Sequence, residues 1–180
     1  MNYEDKKIKL LKEFSEAIKT NKRIVLKKKT ISNLFRYGDR NKENTVTVSL
    51  ADFNKIIRID RSKKILEVEG LATYENIVDH CIYRDLLPTV TPELKNITIG
   101  GAIVGIGIES TGYKYGFVHD GLLEVDILTP NGEILTCTAK NEYKDLFHAL
   151  GNSYGTLGYV LRAKIKLQDI KPYVYMKNIY

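Results

Sequence analysis

The sequence predicts an α+β fold, and three observations carry that prediction. Strand-like segments gather in two groups, 45–69 and 122–167, with helical segments set before and between them instead of alternating one for one. The chain opens with Ile8, Leu11, Phe14 and Ile18 at steps of three and four, the spacing of an amphipathic helix. Between the strand groups, Thr98 to Gly116 holds six of the thirteen glycines, where backbone must turn sharply or approach another group closely.

The opening helix should end near Thr20-Asn21, and Arg23-Ile-Val-Leu26 then reads as a short buried strand. Residues 27–44 are polar. Thr45-Val-Thr-Val-Ser-Leu50 and Ile56-Ile-Arg-Ile-Asp60 alternate, and Ile65-Leu-Glu-Val-Glu69 returns after the charged turn Arg61 to Lys64, which makes a hairpin of the last two. Thr73 should cap a helix with Ile77, Val78, Cys81 and Ile82 on its inner face, ending before Pro88 because proline disfavours helical geometry in the residue ahead of it. Pro88 to Pro92 should be extended. Leu122 to Leu128 and Ile134 to Thr138 form a second hairpin around Pro130-Asn-Gly132. Asn141 can cap a short helix through Leu150 with Tyr143, Leu146, Phe147 and Leu150 turned inwards, and Tyr159 to Leu167 alternates as a long strand. The tail from Pro172 has strand character but no cap or polar terminus, so a further domain is expected after Tyr180, or the chain is a remnant of a longer one.

Composition narrows the function. The 180 residues suffice for one domain or two small lobes sharing a core. No apolar run reaches the roughly 18 residues of a membrane span, and the first residues lack the apolar core of a signal peptide, so a cytoplasmic place is expected, peripheral membrane contact being compatible with it. The net charge of +6 comes from scattered lysines with one cluster, Lys27-Lys28-Lys29, which argues for a solvated surface and against nucleic-acid binding. Cys81 and Cys137 lack metal-ligand spacing and sit among apolar neighbours, as free buried thiols would, and no metal site is expected.

The glycine stretch is neither a dinucleotide fingerprint nor a P-loop, since GxGxxG and Gly-Lys-Ser/Thr are both absent. It does offer a helix start at Thr98 to Gly101, where free backbone N–H groups and the helix dipole would attract phosphate. On composition it reads equally as a cofactor cradle or a crossover between sheets.

The ordered set Pro92, Thr98-Ile-Gly-Gly101, Gly-Ile-Glu-Ser110, Tyr-Lys-Tyr-Gly116, Asp126 to Gly132, Asp145-Leu-Phe147 and Gly155-Thr-Leu-Gly158 resembles the flavin-binding domain of the vanillyl-alcohol oxidase and p-cresol methylhydroxylase (PCMH) family. Within it, Gly-Ile-Glu-Ser followed by Lys-Tyr-Gly is similar to the Δ24-sterol reductase branch, and the likeness covers about Ile24 to Leu167. The resemblance implies a PCMH-type fold of two α+β subdomains with FAD extended between them. By it, 1–22 is a leading helix, 23–92 the first subdomain, 93–170 the second, and 171–180 a link towards a substrate or cap domain. It implies that residues 98–110 wrap the pyrophosphate and ribityl chain, with Thr98, Ile99, Gly100, Gly101, Val104, Gly105, Gly107, Ile108, Glu109 and Ser110 as candidates. Pro92, Glu93 and Leu94 would lie against the flavin, and Gly158 and Val160 would supply contacts further along.

Where relatives carry an Arg-Gly-Gly-Gly-type loop, this chain has Lys28 to Arg36, and Ser32 and Asn33 stand as candidate donors there. No residue matches the histidine that tethers flavin in some members, so FAD is expected to be non-covalent. His80, His119 and His148 lack an Asp or Ser partner at motif spacing, His119 being the best placed. The resemblance thus implies a flavin-dependent oxidoreductase acting on a sterol-like or isoprenoid double bond, or on a sugar or lipid-linked alcohol. Its partners would be a small-molecule or lipid substrate and a separate electron donor or acceptor. A non-catalytic FAD-binding module is the rival reading, and no catalytic residue is assigned.

Overall fold

The computed structural model describes residues 1–28 and 43–179. Helix α1 (Tyr3–Lys19) begins at a capping box, in which the Asn2 side chain accepts from the Asp5 N–H at 2.9 Å and the Asp5 carboxylate accepts from the Asn2 N–H at 3.3 Å. Its docking face differs from the one the apolar spacing predicts. Lys6, Leu10, Phe14 and Ala17 are buried, whereas Ile8 (69%), Leu11 (37%) and Ile18 (47%) are exposed. Polar anchors set this rotation: the Lys6 ammonium donates to the Glu69 carboxylate at 2.7 Å and to the Asp52 carbonyl at 2.6 Å, while the Tyr3 hydroxyl donates to Asp126 at 2.7 Å. A pattern that scores apolar residues alone cannot find a docking face containing a lysine.

Strands β1 (Arg23–Lys27) and β2 (Thr45–Ser49) pair in parallel as a separate two-stranded sheet, with β1 half-buried where a buried strand was expected. The Lys27 carbonyl also accepts from the Leu50 N–H at 2.9 Å. Strands β3 (Ile56–Asp60) and β4 (Ile65–Glu69) form the expected antiparallel hairpin. Helix α2 (Tyr74–Ile82) is capped by Thr73 and buries Tyr74, Ile77 and Cys81, leaving Ile82 at its exposed end. Strand β5 (Leu86–Pro88), helices α3 (Ile99–Val104) and α4 (Gly112–Tyr115), the hairpin β6 (Leu122–Leu128) and β7 (Ile134–Thr138), helix α5 (Lys144–Ala149) and strand β8 (Tyr159–Asp169) complete the order. Asn141 does not cap α5 directly; its side-chain oxygen accepts from the N–H groups of Thr138 and Tyr143, tightening the turn before the helix. Residues 171–179 form no strand and are exposed.

The larger sheet has the order β3-β4-β8-β6-β7, with β5 pairing the far end of β8. Strand β8 is its spine: Arg162 to Lys166 pair with β4, Tyr159 to Ile165 with β6, and Leu167 to Asp169 with β5. The sheet therefore runs across position 92, where the sequence had been divided into two subdomains, because β4 finds its partner about a hundred residues downstream. One apolar core lies against this sheet around Val68, Ile77, Ile99, Ile103, Val125 and Val160. A second joins α1 and β2 to its other side through Phe14, Leu50, Phe53 and Leu161. Cys81 and Cys137 are buried free thiols, and burial pushes both up to about 11.

At the centre of the α1-facing side, Arg162 donates to both Asp126 oxygens at 3.0 and 2.8 Å and to Glu67 and Glu124 at 2.6 Å. Burial alone would raise Asp126, but Arg162 and Tyr3 outweigh it and hold the carboxyl below its usual value of 3.8. Glu124 is likewise raised by burial and lowered further by Lys164 and Arg162. A carboxyl depressed in the folded state stabilises the fold fully above its unfolded value and loses that contribution as pH falls through the folded one. Stability of the native protein should therefore rise with pH between about 3 and 5. Arg162→Met leaves the buried Asp126 without its cation, while Glu124 keeps Lys164 at 2.9 Å: urea unfolding at pH 7 should show a loss of about 3–5 kcal/mol, and the rise of stability with pH should weaken, because an unpaired buried carboxyl favours the protonated form.

Candidate cofactor site

The glycine stretch folds as a short helix pressed against bare backbone. Thr98 is extended, bridges to Thr73, and caps α3 by accepting from the Gly101 N–H at 3.3 Å. Gly100 donates to the Gly70 carbonyl at 2.9 Å, and Gly70 donates to the Leu161 carbonyl at 2.8 Å. Side chains have no room here: a Cβ on Gly70 would lie 2.0 Å from the Val160 oxygen, and one on Gly100 would lie 2.8 Å from the Gly70 oxygen.

This packing overturns one expectation. The first N–H groups of α3 are not free for phosphate, since Ile99 donates to the Ala72 carbonyl at 3.0 Å, Gly100 to Gly70, and Gly101 to its own cap. Residues 70–73 run alongside the helix start and consume its donors. Ile99, fully buried with its N–H occupied, presents nothing to a ligand.

What α3 presents instead is a bare wall. A cleft of about 280 Å³ lies between β1 and the large sheet, lined by Arg23 to Leu26, Lys28, Gly100, Gly101, Val104, Tyr154, Gly155 and Gly158 to Val160. It brings together five of the predicted residues, Gly100, Gly101, Val104, Gly158 and Val160. A Cβ on Gly101 would meet only the Thr98 hydroxyl oxygen, at 3.1 Å, and one on Gly155 nothing nearer than 3.8 Å, so at both positions side-chain atoms would occupy space now left open. The turn from 152 to 158 forms the far wall. Its Asn152, Tyr154 and Gly155 have φ of 64°, 50° and 80°, and its Gly155 and Leu157 N–H groups have no partner among the described residues. Arg23 and Lys28 add positive charge, the Lys28 ammonium lying 4.7 Å from the Tyr159 ring centroid. Unpaired amides, two cations, bare glycine and two tyrosine rings are the donor set a diphosphate with flat rings requires. The residues present therefore fit FAD.

Arg23, Lys28, Tyr154, Gly155 and Tyr159 were not among the predicted residues. Gly155 lies inside the Gly155 to Gly158 motif, and Lys28 opens the polar segment after the first strand; either could have been chosen on that ground. Ser32 and Asn33 lie outside the described residues. Pro92, Glu93, Leu94 and Glu109 lie outside the lining of the cleft, and burial, then the Glu93 carboxylate, raise the Glu109 carboxyl above its usual value. Gly105, Gly107, Ile108 and Ser110 belong to the same segment, with Gly107 packed onto Val118 and Ile108 (66%) exposed. His80 is held by the Asn76 carbonyl at 2.8 Å, His119 packs on Phe117 and Gly151, and His148 on Phe147. A larger open trough of about 510 Å³ between 51–56 and α2 contains none of the predicted residues.

Fold and cleft together define a dinucleotide-binding domain of the PCMH type. The chain belongs to the FAD binding domain family, which it matches over residues 11–138, and FAD is its cofactor. It is 38% identical over 127 residues to the Delta(24)-sterol reductase of Pisum sativum, covering 71% of this chain and 22% of that protein. With the Delta(24)-sterol reductase of Arabidopsis thaliana it shares 35% over 132 residues, 73% of this chain and 24% of the relative. With cytokinin dehydrogenase 3 of the same plant it shares 28% over 120 residues, 67% of this chain and 23% of that protein. The crystal structure of 6-hydroxy-D-nicotine oxidase from Arthrobacter nicotinovorans superposes with a TM-score of 0.72 at 21% identity, over 89% of this chain and 34% of that one. The chain thus spans about a quarter of the length of these sterol reductases. Among the described residues, no helix is long and apolar enough to cross a membrane.

Two neighbouring glycines should separate fold from binding. Gly101→Val should leave the circular dichroism spectrum and melting temperature near native but weaken FAD binding at least tenfold. Gly100→Val should lower the melting temperature by several degrees, since its side chain meets the Gly70 carbonyl. If Gly101→Val binds FAD as the native protein does, the wall of the cofactor site lies elsewhere.

Proposed function

We propose that this chain is the FAD-holding part of a flavin-dependent oxidoreductase and that it binds FAD without a covalent link. The observation that carries the reading is the cleft in which bare glycine backbone on α3 faces Arg23 and Lys28 across a space the 154–158 turn closes. In it, Gly101 and Gly155 would lie along the pyrophosphate, Arg23 and Lys28 would offset its charge, and Val160 would meet the ligand further along. Bound there, the isoalloxazine would supply the two-electron chemistry, and the protein would orient it and exclude water.

The proposed reaction is reduction of an isolated carbon–carbon double bond in a sterol-like or isoprenoid lipid, with electrons from a separate donor. The relatives named Delta(24)-sterol reductase support this choice. The cleft itself supports a second reading, an FAD-binding module without turnover of its own, since its lining accounts for cofactor binding alone.

Titration with FAD should quench flavin fluorescence to a stoichiometric end point, and acid precipitation should then release the whole flavin into the supernatant. Flavin retained in the pellet would contradict the non-covalent reading. Arg23→Gln and Lys28→Gln should each weaken FAD binding and flatten its dependence on salt. Anaerobic mixing of the dithionite-reduced protein with an unsaturated sterol should restore oxidised-flavin absorbance if the chain turns over by itself. No reoxidation by sterols, isoprenoids or, in the reverse direction, no bleaching by sugar alcohols, would leave the binding module as the correct reading.

A further inference from the structure

Tyr154 is the cleft residue for which the fold itself gives least reason. Its φ is 50°, in the left-handed region where a Cβ crowds the following carbonyl and which glycine, asparagine and aspartate tolerate best. Of the six non-glycine residues with positive φ among the described residues, four are asparagine or aspartate, and Tyr154 is the only aromatic one, so the position goes against the chain's own habit. The conformation is imposed by the surroundings. The Asn152 N–H donates to the Gly105 carbonyl at 3.4 Å and the Tyr154 N–H to the Val104 carbonyl at 2.8 Å, which ties the turn to the end of α3. Thr156 then closes the turn, donating to the Ser153 carbonyl from its N–H at 3.0 Å and from its hydroxyl at 2.7 Å.

Packing does not explain the ring. Tyr154 is 62% exposed and belongs to neither apolar core, and among the described residues it neither stacks on another ring nor hydrogen-bonds through its hydroxyl. A single exposed aromatic residue needs no explanation where its backbone is relaxed. Here an asparagine would make the same turn with less strain, so the aromatic group answers to something other than the turn. What it does is line the cleft of about 280 Å³. Beside it, a Cβ on Gly155 would meet nothing nearer than 3.8 Å, so the space next to the ring is open. An aromatic side chain on a tethered turn beside open space suits a flat ring, because stacking needs a fixed ring with an unobstructed face.

We propose that the Tyr154 ring is a stacking platform for one of the two flat heteroaromatic rings that the bound dinucleotide carries on either side of its diphosphate. The strained torsion is what it takes to hold an aromatic ring at that point of the cleft wall. This rests on the FAD reading above and deepens it, because the glycines and cations account for the diphosphate alone, whereas Tyr154 makes the site prefer a ligand with a ring over a bare phosphate.

The test is the FAD dissociation constant from fluorescence quenching, measured beside thermal unfolding of the free protein, for native protein, Tyr154→Asn and Tyr154→Phe. Tyr154→Asn suits the torsion and removes the ring: it should melt at or above the native temperature without FAD yet bind FAD about tenfold more weakly. Tyr154→Phe keeps the ring and should keep the native affinity. Inorganic pyrophosphate, displacing FAD, should bind the native protein and Tyr154→Asn alike, since it has no ring to stack. ADP and FMN as competitors locate the partner: a loss in Tyr154→Asn for ADP alone assigns the adenine, and a loss for FMN alone assigns the isoalloxazine. Native FAD affinity in Tyr154→Asn, an equal loss in Tyr154→Phe, or a loss of the same size for pyrophosphate would each overturn the platform. A melting temperature lowered by Tyr154→Asn would also overturn it, by making the ring a support of the turn. In those cases FAD binding by the native protein still stands. Failure of the native protein to bind FAD would overturn the cofactor reading itself and the platform with it.

Discussion

The structure turns on one close approach of three backbones. Gly70 at the end of β4, Gly100 in the first turn of α3 and Val160-Leu161 at the start of β8 meet without side chains between them, joined by hydrogen bonds of 2.9 and 2.8 Å. Because β8 is the spine of the larger sheet, this contact fixes the height and tilt of α3 over it. The bare face of Gly101 and the Gly158 to Val160 backbone consequently line the same cleft. A methyl group at Gly70 would meet the Val160 carbonyl, which cannot yield without breaking the strand, so the glycine is required by space and not by its torsion angles.

Opposite this seam the protein spends its buried charges on structure. Arg162 gathers Asp126, Glu124 and Glu67, and Lys6 pairs with Glu69, both groups lying where α1 covers the sheet. Ion pairs of this kind give modest net stability but penalise any misplacement of one partner heavily. They therefore act as register pins: α1 can dock with only one face towards β4 and β6, and the anchor on Asp126 also ties it to β8 through Arg162. The cost of stranding a charge explains why the helix turns Ile8 and Ile18 to solvent when it could have buried them.

Much of the fold was legible in local pattern. Period-two alternation located β2, β3 and β8, the turns at 61–64 and 130–132 brought out β4, β6 and β7, and the Thr98 and Thr73 caps marked both helix starts, since each depends on residues within a few positions of one another. The misses share one cause, dependence on distant partners. Which face of α1 docks was set by Glu69 and Asp126, and whether β3 and β4 join the later strands was set by Arg162 to Lys166. The cleft was half legible: its glycines stand out in the sequence, whereas Arg23, Lys28 and Tyr154 join it only through the fold.

The occupied donors of α3 change how the site must work. Where a helix start is exposed, its amides and dipole supply phosphate recognition in one place. Here residues 70–73 use up those amides, so α3 contributes shape alone, and the attraction has to come from elements that face it. The turn at 154–158 would meet that requirement with the Gly155 amide, which has no partner among the described residues, held in place by the Tyr154 N–H bond to the Val104 carbonyl at 2.8 Å. Strand β1 would meet it with the cations at either end of its run, Arg23 and Lys28, which line the cleft. Recognition split in this way between two lobes makes ligand affinity depend on how β1 sits relative to the large sheet. The cofactor, once bound, would in turn bridge the two sheets.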